Sequence, residues 1–128
     1  MAKKISSSSS RIINVGITQM TCGEDVNTNL KKQVRLIEQA AKVGANIVCT
    51  QEMFRTQYFC QIEDHRFFKT AETIPGPSTD AFCRLAKRLN IVIIASLFEK
   101  RADGLYHNTA AVIDADGSLM GEIGRAHV

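Results

Sequence analysis

The sequence predicts an α/β fold in which a parallel strand-helix-strand unit is followed by an antiparallel meander. An amphipathic segment that begins at Asp25 lies between two short apolar stretches, and a crossover of that length implies parallel strands with a right-handed connection. Later in the chain, Asp103-Gly104 and Asp116-Gly117 are hairpin signals, which indicate antiparallel strands. A length of 128 residues suits a single domain.

The parallel unit begins with a strand predicted at residues 11–20, where apolar side chains both alternate and run together. A strand that is covered on both faces has this pattern. From Asp25 to Ala41, apolar residues recur at helical spacing, which predicts an amphipathic helix. Asp25 is its predicted N-cap, and Gly44 its left-handed C-terminal residue. Residues 45–49 then form the second predicted strand.

A long segment at residues 53–73 follows the second strand and mixes aromatic with charged side chains. Long segments without regular structure are usually functional or disordered, and the many aromatic residues favour a packed loop with a short helix at residues 64–69. The Pro-Gly-Pro sequence at residues 75–77 precedes a second helix. Ser78 is predicted to cap that helix, and Asn90 to end it.

The remaining residues are predicted to complete the sheet. Residues 91–98 have the pattern of a strand buried on both faces, residues 105–113 form the strand between the two hairpins, and residues 119–123 form the last strand. Two helices would cover one face of this sheet, and nothing in the sequence would cover the other. Residues 1–10, with two lysines and five serines, are predicted to be a disordered lead-in rather than a secretory signal.

Composition argues against several classes of function. The 16 basic and 13 acidic residues are spread along the chain, so its net charge of +3 gives no support for nucleic-acid binding. No apolar stretch approaches the roughly 18 residues that span a bilayer, so we expect no membrane association. The cysteines form no C-x-x-C pair, which argues against a metal site and favours a reducing, cytoplasmic compartment. They are Cys22, Cys49, Cys60 and Cys83.

Glu52 is the strongest candidate for chemistry. It follows the apolar strand within the sequence NIVCTQEMF, and reactive groups in sheets flanked by helices lie where strands end and loops begin. A buried or half-buried carboxylate held at such a position has the partial desolvation that suits a general base. A glutamate at a strand end is more often a surface or salt-bridged residue, however, so the residue alone leaves both interpretations open.

Several separated blocks of sequence carry a resemblance to a known family. The blocks GITQM, CTQEMF, RTQYFCQIEDHRFF, AETIPGPST and ASLFEKRADGLYHNTAAVIDADGSLMG occur in an order that resembles the carbon-nitrogen hydrolase (nitrilase) superfamily. The loop and the hairpin are most similar to the amidases that act on N-carbamoylputrescine in polyamine biosynthesis, with β-ureidopropionase-type enzymes next. The resemblance implies an α-β-β-α sandwich, incomplete in this chain, and hydrolysis of a small carbamoyl amide without a cofactor.

The resemblance also implies a Glu-Lys-Cys catalytic triad. Glu52 matches the family's glutamate, a general base that takes the proton of the nucleophilic thiol. Arg125 occupies the position of the family's lysine, and its planar guanidinium cannot replace a compact ammonium without moving atoms. His127 matches a histidine of the same motif. Tyr58 and His65 lie in the loop as candidate substrate-binding residues, with the alternatives of a packed aromatic and a loop-anchoring histidine left open.

The family's nucleophilic cysteine would lie beyond residue 128. Cys60 is near Glu52 in the sequence but is a poor substitute, because the family's loop contains this cysteine alongside the separate nucleophile. We therefore expect residues 11–128 to be the N-terminal part of an amidase, inactive alone. The alternative is a non-enzymatic protein that pairs with an intact homologue, as a homo- or hetero-oligomer, through its exposed sheet edge and apolar face.

Overall fold

A computed structural model describes residues 10–127, with side chains described up to Arg125. Within this range a five-stranded sheet has its strands side by side in chain order. The strands are Val15–Ile17 (β1), Ile47–Cys49 (β2), Val92–Ala102 (β3), Leu105–Ile113 (β4) and Leu119–His127 (β5). The helices are Val26–Lys42 (α1), the 3-10 helix His65–Thr70 and Pro77–Leu89 (α2). The predicted lead-in lies outside the described residues, except for residue 10.

The sheet combines parallel and antiparallel pairing as predicted. β1 pairs with β2, and β2 with β3, in parallel, whereas β3, β4 and β5 form an antiparallel meander. Each parallel step crosses over through a helix, and a right-handed crossover puts both helices on one face. Gly104 and Gly117 have φ angles of 74° and 90° in the two hairpin turns. These angles suit glycine, which explains why the Asp-Gly pairs predict the turns.

The core lies between the two helices and one face of the sheet, which we call the covered face. Alternate strand residues point toward the helices and are buried with their apolar side chains. The larger members of this core are Ile37, Val48, Phe54, Phe82, Leu85, Ile93, Leu97 and Ile113. The intervening residues point to the opposite side, which we call the open face. It carries Ile17, Ile94, Ser96, Asn108, Ala110 and Ile123 among others.

The prediction that β1 and β3 are buried on both faces is wrong. Ile17 is 81% exposed, and Ile94 and Ser96 are only half-buried. β1 is also shorter than predicted, and Asn14, which precedes it, bonds to the end of the α1–β2 turn. Its N–H donates to Asn46 Oδ1 at 2.9 Å. Strands β3 and β5 are longer than predicted, since the antiparallel pairing extends to Ala102 and His127.

The ends of α1 follow the predicted capping. Asp25 Oδ1 accepts a hydrogen bond from Thr28 N at 2.6 Å, which satisfies one of the free N–H groups at the start of the helix. Gly44, just beyond the end of α1, has a φ of 99°. Asn90 has a φ of 54° and ends α2 in the left-handed conformation, also as predicted.

The start of α2 differs from the prediction, because Ser78 lies inside the helix and Gly76 is the N-cap. Pro77 takes the first helical position, where its fixed φ is already helical and its missing N–H costs no bond. Thr79 Oγ1 accepts a hydrogen bond from Gly76 N at 2.8 Å. The cap therefore forms within the Pro-Gly-Pro sequence, two residues earlier than the side-chain preference of serine suggests.

The loop after β2 is packed and contains a short helix, as predicted. Its aromatic side chains cover one end of the open face, where Phe59 lies 4.9 Å from Phe98 and Phe68 lies 4.6 Å from Tyr106 between ring centroids. Aromatic pairs at these distances are favourable edge-to-face contacts. The loop thus covers one end of the open face with aromatic side chains and leaves the rest of that face exposed.

Candidate functional site

Glu52 lies just beyond β2, where the chain leaves the sheet. Thr50 N still donates to Ile94 O at 3.0 Å, and residues 52–55 then form a turn. Glu52 lies beside the open face, and its side chain is exposed in the described part of the chain. The predicted partial burial of this carboxylate is therefore wrong here, because the open face is bare on one side of the turn.

Asn108 holds the carboxylate of Glu52. Its Nδ2 donates a hydrogen bond to Glu52 Oε1 at 2.5 Å. Sequence reasoning did not select Asn108. The available signal was the residue type, since asparagine is depleted in strands, and β4 is otherwise rich in residues that favour strands.

Glu52 and Asn108 share a cavity of about 310 Å³ with Arg125. The strand register pairs Asn108 with Arg125, so the two side chains project from the same face of neighbouring strands. The structure therefore brings together the predicted base and the residue at the predicted lysine position. Arg125 lies within β5. His127 ends the same strand, and its side chain lies outside the described residues.

Tyr58 lies close enough to this group of side chains for their charges to affect its pKa. The pKa of its phenol is raised, first by a hydrogen bond and an electrostatic interaction with Cys60, then by the charge of Glu52. Arg125 acts in the opposite direction and lowers the same pKa. These influences place Tyr58 within electrostatic range of both Glu52 and Arg125.

His65 lies apart from this group. Its ring lies 5.8 Å from that of Phe68, and it lines a second cavity with Cys60 and Asp64. The cavity of Glu52 is formed by other residues. Tyr58 is therefore within electrostatic range of Glu52 without lining its cavity, and His65 lies at the outer part of the loop.

The backbone of the turn after Glu52 is strained. Met53 has a φ of 46°, a left-handed conformation that costs a residue other than glycine about 1–3 kcal/mol. The turn is secured by Ser96, whose Oγ accepts a hydrogen bond from Met53 N at 3.0 Å. Phe54 is fully buried beside Phe82, with ring centroids 5.4 Å apart. The turn that carries the Glu52 carboxylate is thus held by contacts with both the sheet and the core.

The cysteines bear on both the metal prediction and the choice of nucleophile. Within residues 10–127, no group of three His, Cys, Asp or Glu side chains is arranged to hold a metal ion. All four cysteines are free. Burial raises the pKa of the Cys22 and Cys83 thiols, which makes them poorer nucleophiles. No helix in the same range is long and apolar enough to cross a bilayer.

Comparison with known proteins identifies the family. Residues 14–127 match the carbon-nitrogen hydrolase family. The chain belongs to this family. It is 40% identical over 119 residues to the N-carbamoylputrescine amidase of Solanum lycopersicum, which covers 92% of this chain and 39% of that protein. It is 39% identical over 117 residues to the citrullinase of Francisella tularensis, with coverage of 91% and 41%. The chain thus spans about two fifths of the length of these relatives.

Solved structures agree with this assignment. The carbon-nitrogen hydrolase from Helicobacter pylori G27 is 38% identical, with a TM-score of 0.81 over 90% of this chain and 40% of that one. Saccharomyces cerevisiae Nit3, a member of the nitrilase superfamily, has a TM-score of 0.73 at 22% identity, a likeness of fold alone. The predicted superfamily and α/β fold class are confirmed. The roles of the individual site residues stay predictions.

Proposed function

We propose that this chain supplies the general base of an amidase site that hydrolyses the C–N bond of a small carbamoyl amide such as N-carbamoylputrescine, in polyamine biosynthesis. The observation that carries the proposal is the grouping of Glu52, Asn108 and Arg125 around one cavity. A carboxylate beside a cation suits a reaction in which a nucleophile loses a proton while negative charge develops on a carbonyl oxygen. The family assignment supports the same chemistry.

In this proposal each residue has a separate task. Glu52 accepts the proton of a nucleophilic thiol, and Asn108 orients the carboxylate through the hydrogen bond to Oε1. Arg125 stabilises the oxyanion that forms when the thiolate attacks the carbonyl carbon. Tyr58 borders the substrate, with His65 further out and His127 at the end of β5. The relatives' names support a carbamoyl substrate, because N-carbamoylputrescine and citrulline both end in a ureido group.

The thiols of this chain do not complete such a site. Among the described side chains, Glu52 is hydrogen-bonded to Asn108 and to no cysteine. None of the four cysteines, all within the described range, lines the cavity of Glu52: Cys60 contacts Tyr58, Cys49 is paired within β2, and Cys22 and Cys83 are half-buried with raised pKa values. We therefore propose that the 128-residue chain has no turnover by itself. The free state of all four thiols supports a reducing, cytoplasmic compartment.

A chimaera tests the proposal. Residues 14–127 replace the matching segment of the Solanum lycopersicum amidase, and ammonia release from N-carbamoylputrescine is measured. We expect Glu52→Gln to lower kcat of this chimaera by about 10²–10⁴-fold, because the general base is lost. Glu63→Gln, at an exposed loop position, is the matched control and should leave kcat unchanged. A folded, active chimaera in which both variants behave alike would contradict the role of Glu52.

Arg125→Lys in the same chimaera tests the cation. We expect kcat to rise by about tenfold, because a compact ammonium reaches the oxyanion position better than a planar guanidinium. Ammonia release by the unmodified chain alone would contradict its proposed inactivity, and an inactive but folded chimaera would contradict the proposed function of the segment.

A second candidate function is association with an intact homologue. The observation that favours it is the open face, where Ile17 and Ile123 are each 81% exposed. Co-expression with a full-length relative should then yield a mixed oligomer of defined size. Failure of the two chains to co-purify would count against this role.

A further inference from the structure

A buried ion pair contacts the turn that carries Glu52 and has no task in the proposed mechanism. Arg55 Nη1 lies 2.8 Å from Glu72 Oε2, and their side chains are 12% and 4% exposed. The ion pair between Arg88 and Glu38, by contrast, has side chains that are 58% and 40% exposed. Because ions lose hydration when they are buried, a buried pair needs good geometry and further hydrogen bonds to persist.

Glu72 is held by two elements besides Arg55. Its Oε2 also accepts a hydrogen bond from Ser78 N at 3.0 Å, in the first turn of α2, where a helix favours a negative charge. Its backbone joins β3, since Glu72 N donates to Phe98 O at 3.1 Å and Lys100 N donates to Glu72 O at 2.8 Å. The carboxylate of Glu72 therefore has a fixed position relative to both the sheet and α2.

Arg55 is likewise held through both its backbone and its side chain. Its carbonyl oxygen accepts a hydrogen bond from Asn29 Nδ2 of α1 at 2.7 Å, and its guanidinium binds Glu72. Asn29 is itself buried. The end of the Glu52 turn is thus fixed between α1 and α2.

We propose that Glu72 is a positioning residue that acts through Arg55 to keep Glu52 in contact with Asn108. The strained Met53 lies between Glu52 and Arg55, and a strained conformation persists only where the surrounding structure holds it firmly. Ser96 secures the turn on the side of the sheet, and the ion pair secures it on the side of the helices. The importance of this contact for catalysis rests on the proposed function, but the contact can be tested without catalysis.

The test is an NMR measurement of the Asn108 side-chain amide in the ¹⁵N-labelled full chain. Wild type gives the position of the bonded amide, and Glu52→Ala gives its position without the acceptor. We expect Glu72→Gln, which removes the charge at nearly constant shape, to shift the Asn108 signals most of the way to the Glu52→Ala position. Glu38→Gln breaks an ion pair that lies away from the turn and should leave the signals unchanged.

A folded Glu72→Gln variant with Asn108 signals at the wild-type position would overturn the proposal. If that variant does not fold, the double variant Arg55→Met with Glu72→Gln removes both charges together and is assessed by the same signals. Loss of the wild-type position supports the positioning role, and its retention overturns it. An inactive chimaera would contradict the proposed function only, because the Asn108 signals are measured on the full chain and do not depend on catalysis. The two proposals can therefore fail separately.

Discussion

The two faces of the sheet are built from alternate residues of the same strands, yet they differ in what they provide. On the covered face, Ile93 and Ile113 are completely buried against the helices. On the open face, Ile123 is 81% exposed, and the polar contact between Glu52 and Asn108 lies beside it. The covered face therefore supplies most of the hydrophobic stabilisation, and the open face supplies the candidate chemistry.

The comparison also shows that the site depends on both faces. Glu52 is presented beside the open face, but the residues after it reach into the layer that the helices cover. Phe54 is part of the main core, and Arg55 binds Glu72 at the start of α2. Substitutions beneath the site should therefore affect stability far more than substitutions on the open face.

The largest expected effect comes from breaking the buried ion pair. Glu72→Ala should lower the free energy of unfolding by about 3–5 kcal/mol, because it leaves the Arg55 guanidinium buried without its partner. Glu38→Ala removes an exposed pair and should cost about 0–1 kcal/mol. Urea unfolding of the two variants measures the difference. Equal losses would show that the layer beneath the site carries no special stability.

A matched pair of isoleucines tests the two faces directly. Ile93→Ala should lower the free energy of unfolding by about 2–5 kcal/mol, because it removes buried methyl groups and leaves a cavity. Ile123→Ala, the same change on the open face, should stay within about 0.5 kcal/mol. Thermal and urea unfolding provide the measurement. A large loss at Ile123 would indicate that its side of the sheet is covered in solution, as the association hypothesis requires.

Much of the fold could be predicted because its signals are local. Asp25 caps α1 through a contact with a residue three positions away, and Gly104 and Gly117 mark turns through their own backbone angles. The one wrong cap has a local cause as well. At the start of α2, the backbone preference of Pro77 prevailed over the side-chain preference of Ser78.

The site could be predicted only in part, because its contacts are not local. The resemblance selected Glu52, but its partner Asn108 lies 56 positions later in the sequence. The pair of Arg55 and Glu72 spans 17 positions and joins a turn to a helix end. The exposure of Glu52 likewise depends on what covers the open face, which apolar periodicity within one strand does not specify.

The smallest expected effect is at the N-cap of α1, one of the helices that pack on the covered face. The pKa of Asp25 lies below its ordinary value of 3.8, chiefly because the Thr28 N–H donates to its carboxylate. The carboxylate therefore stabilises the fold at pH values above the unfolded pKa, and this contribution is lost as the pH falls through the lower folded pKa.

Asp25→Asn keeps a capping oxygen that does not titrate, whereas Asp25→Ala has none. Near neutral pH, wild type and Asp25→Asn should both have a higher Tm than Asp25→Ala. In acid, the advantage of wild type over Asp25→Ala should shrink while that of Asp25→Asn persists. Parallel Tm curves for wild type and Asp25→Asn down to about pH 2.5 would show that the cap does not contribute to acid sensitivity.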